Sequence, residues 1–151
     1  MFGHLNHGKP PLEVTEVTGQ MSDIVSFACA GAVTAGEWVK LDTTQAGEDR
    51  IRTVIQSTAV GLCVGVALET VTAATVADGG ATIRVCIAGY VAAARTNGAV
   101  AAAGDTLIPA GVGEVTKGAA TDVLTAVGVA LDVDAGVPGA EVAPVWIFRK
   151  L

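Results

Sequence analysis

Two histidines, His4 and His7, and three cysteines, Cys29, Cys63 and Cys86, are the side chains best suited to holding a metal or attacking a substrate. A structural zinc site needs such ligands in close pairs, usually CxxC with a second pair further on. No CxxC occurs here. His4 and His7 stand three apart beside Gly3 and Gly8 with no neighbouring acid or cysteine, a poor ligand set. Each cysteine lies among small and aliphatic residues, where a buried hydrophobe is expected, and an odd number argues against a disulfide framework.

Other chemistry fares no better. The glycines of "TVADGGAT" lack the GxxxxGK[ST] string that cradles phosphates, so they read as turn glycines. No GxSxG or comparable nucleophile context is present. The expectation is a protein that is not an enzyme and uses no cofactor and no metal.

The composition points to strands. Hydrophobic residues make up 51% of the 151, but they are mainly Ala and Val with few aromatics, and Gly is frequent. Short strands joined by tight turns fit this mix better than Leu-packed helices. The longest uncharged run, Thr53 to Leu68, contains Gln56, Ser57 and two glycines and falls short of the ~20 apolar residues of a membrane helix. No basic segment precedes the apolar run from Ile24, as it would in a signal peptide. The chain is therefore read as soluble, without a membrane partner. A net charge of −6 with no Lys/Arg cluster argues against direct nucleic-acid binding.

The organising feature is a repeat. "VGVALETV" (Val64 to Val71) returns as "VGVALDVD" (Val127 to Asp134). Upstream, "GAVTAGEWVKL" (Gly31 to Leu41) is echoed by "GAVAAAGDTLIP" (Gly98 to Pro109). The Gly-acid step in each suits a turn needing positive φ, with the acid bonding local backbone. The polar stretch that follows is longer in the first copy, around "TTQAGEDR", as a surface-loop insertion would be. Each copy closes on a further strand, "ATIRVCIAGYV" (Ala81 to Val91) and "EVAPVWIF" (Glu141 to Phe148).

Pro144 lacks a donor and predicts a sheet edge or a bulge. "TVTAATVADGGAT" reads as a loop, with at most one helical turn around Val91 to Arg95. The predicted fold is mostly β: one domain, 23–151, of two related units at about 24–91 and 92–148, forming a small sandwich or barrel. Residues 1–22, with Pro10-Pro11 and almost no Ala, read as an extended N-terminal arm.

The steps Gly36-Glu37-Trp38-Val39-Lys40-Leu41, Val64 to Glu69 and Ile83 to Val91, with second copies at Gly104 to Ile108 and Val127 to Asp132, resemble the capsid-fibre-like β domains of phage head-decoration, or capsid cement, proteins. The resemblance covers about residues 24 to 148. It implies a mostly-β virion protein, often a homotrimer, bound to the outside of an expanded capsid. Its partners would be the major capsid protein and copies of itself, and it would be made in the host cytoplasm.

The family pattern does not extend to the arm. The arm is expected to supply interface contacts through His4, His7, Lys9, Pro10, Pro11, Leu12 and Val14. Trp38, opposite Val39 and Leu41 on an alternating strand, is expected to face away from the core and join that interface. The role of Trp146 is left open.

Two other readings belong to different classes. "GDTLIPAGVGEVTKGAA" resembles the "GDxL" step of lipoyl or biotinyl carrier domains, with Lys117 as the modified lysine, but neither "EMKM" nor "ETDKA" is present. A generic oligomeric fibre or surface module would need no capsid.

Overall fold

The computed structural model describes residues 22–60, 62–98, 100, 102–119, 124–136 and 140–148. The arm lies outside them except for Ser22. Nine strands dominate: β1 (Asp23–Cys29), β2 (Trp38–Leu41), β3 (Thr53–Gln56), β4 (Cys63–Ala67), β5 (Thr82–Arg95), β6 (Thr106–Gly111), β7 (Glu114–Lys117), β8 (Gly128–Ala130) and β9 (Val142–Ile147). The mostly-β expectation holds, and of the two architectures the structure is a barrel.

The strand order is β1-β3-β2-β4-β5-β9-β8-β6-β7. β1 also pairs antiparallel with β5 (Phe27 opposite Ile83) while running parallel to β3 (Cys29 opposite Val54), so the first five strands close into a ring. Closure leaves no free edge, the usual hazard of a small sheet. The second half repeats the plan. β5, β9, β8, β6 and β7 follow one another, and a parallel bridge between Thr96 and Val115 returns β7 to the end of β5. The hairpin β2–β3 corresponds to β6–β7, β4 to β8, and β5 to β9.

β5 therefore serves both units. Its first half pairs with β1 and β4, and its second half, from Gly89 to Arg95, with β9. The unit boundary expected near residue 91 falls inside this strand. The Ala-rich segment from Val91 to Arg95 is strand and not a helical turn. Its pairing supplies what its intrinsic preference does not.

Pro144 sits in β9, between β5 and β8, and so is not at an edge. The bulge half of the expectation is right. β5 shifts register between Val91 and Ala94, opposite Pro144, so the missing N–H has no ladder partner to disappoint. The Pro144 carbonyl still accepts from Leu131 N at 2.8 Å.

The segment read as a loop before β5 carries a short helix, α1 (Ala73–Ala77). Thr72 caps it, its hydroxyl accepting from Thr75 N at 3.2 Å. Gly79 and Gly80 then make the turn that "DGG" signals.

Two apolar cores result. Phe27, Val39, Leu41, Val54, Val64, Ile83 and Val85 fill the first ring. Leu107, Val115, Val127, Ala130, Val145 and Ile147 fill the second. Trp38 belongs to the second core and is 0% exposed, which overturns its expected place on an interface. The alternation is right, since Trp38 does point away from Val39 and Leu41. The space on that side is filled by the second unit, so both faces of β2 are buried. All three cysteines are buried core residues, with no disulfide between them. Burial pushes the thiols of Cys29 and Cys86 up from their ordinary range.

Candidate functional site

The two Gly-acid steps fold alike, atom for atom. Gly36 and Gly104 both have φ 91°, a conformation that favours glycine. Gly36 N donates to Ala67 O and Gly104 N to Ala130 O, each at 2.8 Å. The Glu37 carboxylate accepts from Thr34 N at 2.9 Å, and the Asp105 carboxylate from Ala102 N at 3.0 Å. The repeated "VGVAL" glycines have a different duty. A Cβ on Gly65 would overlap the Cys86 carbonyl oxygen, and one on Gly128 the Trp146 carbonyl oxygen. These residues set the turn and let neighbouring strands approach; they are scaffold.

The acids have diverged in what they bind. Glu37, buried, pairs with Arg95 Nη1 at 2.7 Å. Arg95 Nε lies 3.2 Å from Glu114 Oε1, a charge contact more than an aligned hydrogen bond. This half-buried triad ties β2 of the first unit to β5 and to β7 of the second. Trp38 completes the seam, with Nε1 donating to Arg95 O at 3.2 Å and N to Gly113 O at 2.9 Å. In the second unit, Asp105, with its side chain largely buried, pairs at 2.7 Å with Lys117, which is itself exposed.

Lys117 lies at the far end of the β6–β7 hairpin, opposite Leu107, while the turn is Gly111-Val112-Gly113. A swinging-arm carrier presents its lysine at the hairpin tip. Lys117 is not placed for that role.

On one side of the seam an apolar groove of about 380 Å³ opens between the units. Ala59, Val60, Leu62 and Cys63 wall it from the first unit; Pro109, Leu124, Thr125 and Val127 wall it from the second. None of these residues is charged. Its rim is unusually bare, with Leu124 93% and Val60 75% exposed. The β6–β7 turn lies alongside, near Ala59, and presents Val112 to solvent at φ 48°. A β-branched residue in that conformation is a rare outlier. Lys40 marks the lip: its ammonium donates to Thr58 Oγ1 at 2.7 Å and reaches Val60 O at 3.5 Å. It has no salt bridge among the described residues.

Sequence reasoning missed this groove. Most of its residues come from irregular segments, where no period marks a face, with Cys63 of β4 and Pro109 of β6 as the exceptions. The expected arm contacts, His4, His7, Lys9, Pro10, Pro11, Leu12 and Val14, lie outside the described residues. Among the described residues no helix is long and apolar enough to cross a membrane.

No family model matches the chain, and no curated protein does. Among solved structures, the fold is similar to that of the head fibre gp8.5 N base of bacteriophage phi29. The TM-score is 0.55 at 16% identity, over 85% of this chain and 96% of that one.

Proposed function

We propose that this chain is a structural protein of a phage head, bound to the outer capsid surface, where it clamps major capsid protein subunits together. The observation that carries this reading is the likeness in fold to a phage head fibre base across nearly the whole of both chains. The repeat resemblance to head-decoration proteins points the same way. Tandem rings tied by buried charges and a shared strand make a stiff body, which suits a clamp. Binding at many identical sites stabilises the assembled shell by mass action. The reading extends to a homotrimer and to an arm, residues 1–22, that reaches a neighbouring subunit or the shell.

Quantitative mass spectrometry of purified particles from the source tests it. A fixed, simple ratio of this chain to the major shell protein is the expected result, and absence from particles would overturn the reading. Deleting residues 1–22 should weaken attachment to shells while leaving the circular dichroism of the body unchanged. Unaltered affinity would remove the arm from the mechanism.

A further inference from the structure

The two copies of the repeat carry equivalent cross-strand rows on the outward sides of their rings. In the first, Trp38 on β2 lies opposite Val66 on β4, and Val66 opposite Cys86 on β5. In the second, Thr106 on β6 lies opposite Val129 on β8, Val129 opposite Trp146 on β9, and Trp146 opposite Tyr90 on β5. The first row is covered: Trp38, Val66 and Cys86 are at most 1% exposed and belong to the core of the second ring. In the second row Thr106, Val129, Trp146 and Tyr90 are all half-buried, while Leu107, Ala130, Val145 and Val91 on the same strands point into the ring.

The second row has the composition of a contact surface. The chain holds three Phe, two Trp and one Tyr. Phe27 and Trp38 are buried, and Phe2 lies outside the described residues. The other three stand here: Tyr90 and Trp146 side by side in the row, and Phe148, exposed, one outward position further along. Trp and Tyr dominate protein contacts because each buries a large apolar area and still offers a polar tip. Neither the Tyr90 hydroxyl nor Trp146 Nε1 has a hydrogen-bond partner among the described residues, whereas Nε1 of the buried Trp38 donates to Arg95 O. Beside the row, Leu131 N donates to Pro144 O, and these two side chains widen the apolar surface. None of these side chains is charged.

We infer that copies of this chain associate through this face, with the Thr106–Val129–Trp146–Tyr90 rows of neighbouring copies packed against one another. Two observations select a second copy as the occupant. The equivalent row of the first ring is covered by a ring of this same chain, so such a ring is the kind of body that fits it. The chain also carries a net charge of −6 with its acids spread along the sequence, so contacts elsewhere bring acid toward acid. The row has no charge to bring. Sheets pack face to face about 10 Å apart, a gap that large side chains such as Trp and Tyr fill. The inference names the surface for the self-association included in the proposed function and rests on that part of it alone.

Sedimentation velocity and fluorescence of the full chain test it. Trp146→Glu and Val129→Glu each put an acid into the row, and Ile51→Glu, at an exposed aliphatic residue of the first ring, is the control. Circular dichroism and thermal melts check the fold of each variant, and two separate row positions guard against one failing to fold. The wild-type chain is expected to associate, with a dissociation constant that each row variant raises about hundredfold and Ile51→Glu leaves unchanged. Trp146 should pass from wet to dry surroundings on association. The wild-type emission should therefore move to shorter wavelength as concentration rises, and that movement should vanish in Trp146→Phe, where the buried Trp38 alone remains. Association unaltered by both row variants would overturn the inference and leave self-association standing. A wild-type chain that stays monomeric would overturn both, while the composition of particles would still decide the capsid reading.

Discussion

The two units share one hydrogen-bond plan and differ in what lies against their outer surfaces. In the first, β4 is buried at every position, and β2 buries Trp38 on one side and Val39 and Leu41 on the other. In the second, Val129 on β8 and Thr106 on β6 are half-buried, because among the described residues no layer covers the outward side of that ring. Trp38 and Thr106 occupy corresponding places after the Gly-acid step, yet one is a core residue and the other is not. Equivalent backbone does not confer equivalent environment. The second unit acts as the outer layer of the first, and its own outer layer is solvent or a partner.

That asymmetry can be broken most forcefully at Trp38. Trp38→Ala should cost about 3–5 kcal/mol, the range for emptying a large buried aromatic site, whereas Thr106→Ala should cost under about 1 kcal/mol. Urea denaturation of the two variants measures the difference. Similar losses would mean the outer side of the second ring is as well packed as that of the first.

The charge pairs offer the next contrast. Arg95→Met leaves Glu37 buried and Glu114 half-buried without their cation, and should cost about 3 kcal/mol. Lys117→Met removes an exposed partner of Asp105 and should cost less than about 1 kcal/mol. Thermal melts of both variants at low and high salt sharpen this, since only the Lys117 effect should fade as salt screens it.

A smaller loss than at Trp38 or Arg95 is expected at Asp42, which has no acidic counterpart in the second unit, where Ala110 holds the corresponding place. Its carboxylate accepts from Gln45 Nε2 and Thr44 Oγ1, each at 2.6 Å, and from Thr44 N at 3.1 Å. These bonds, Gln45's first and then Thr44's, hold its carboxyl below the usual range. A lowered folded-state value means the stabilisation is complete above the unfolded value, near 3.9, and is lost as pH falls through the folded one. Asp42→Asn should cost about 1 kcal/mol at pH 7 and progressively less below about pH 4. A constant penalty across that span, read from denaturation midpoints, would assign the loss to packing.

The repeat was legible because its glycines and acids are irreplaceable where they stand. Gly36 and Gly104 need positive φ, and Gly65 and Gly128 admit no side chain, so neither pair drifts. What alternation does not reveal is the neighbour on the other side. It placed Trp38 opposite Val39 correctly but held no information that a second ring packs there. Ring closure was equally hidden, since β1 meets both β3 and β5 through backbone groups that carry no residue signature. The strand at Ala92 to Ala94 and the helix at Ala73 are short, Ala-rich segments whose state is set by pairing and by the Thr72 cap. The groove, drawn mostly from irregular segments of both units, could be seen only once the units were side by side.

The strand common to both rings also says how such a molecule grows. A free-standing copy joined by a linker would add a bead to a string. Here the second ring stands on the stretch of β5 that runs past the first. β9 stands to the second ring as β5 stands to the first, so a further ring could stand on it in the same way. Duplication by this route yields a continuous girder, with no point along β5 at which one copy can be severed and remain whole.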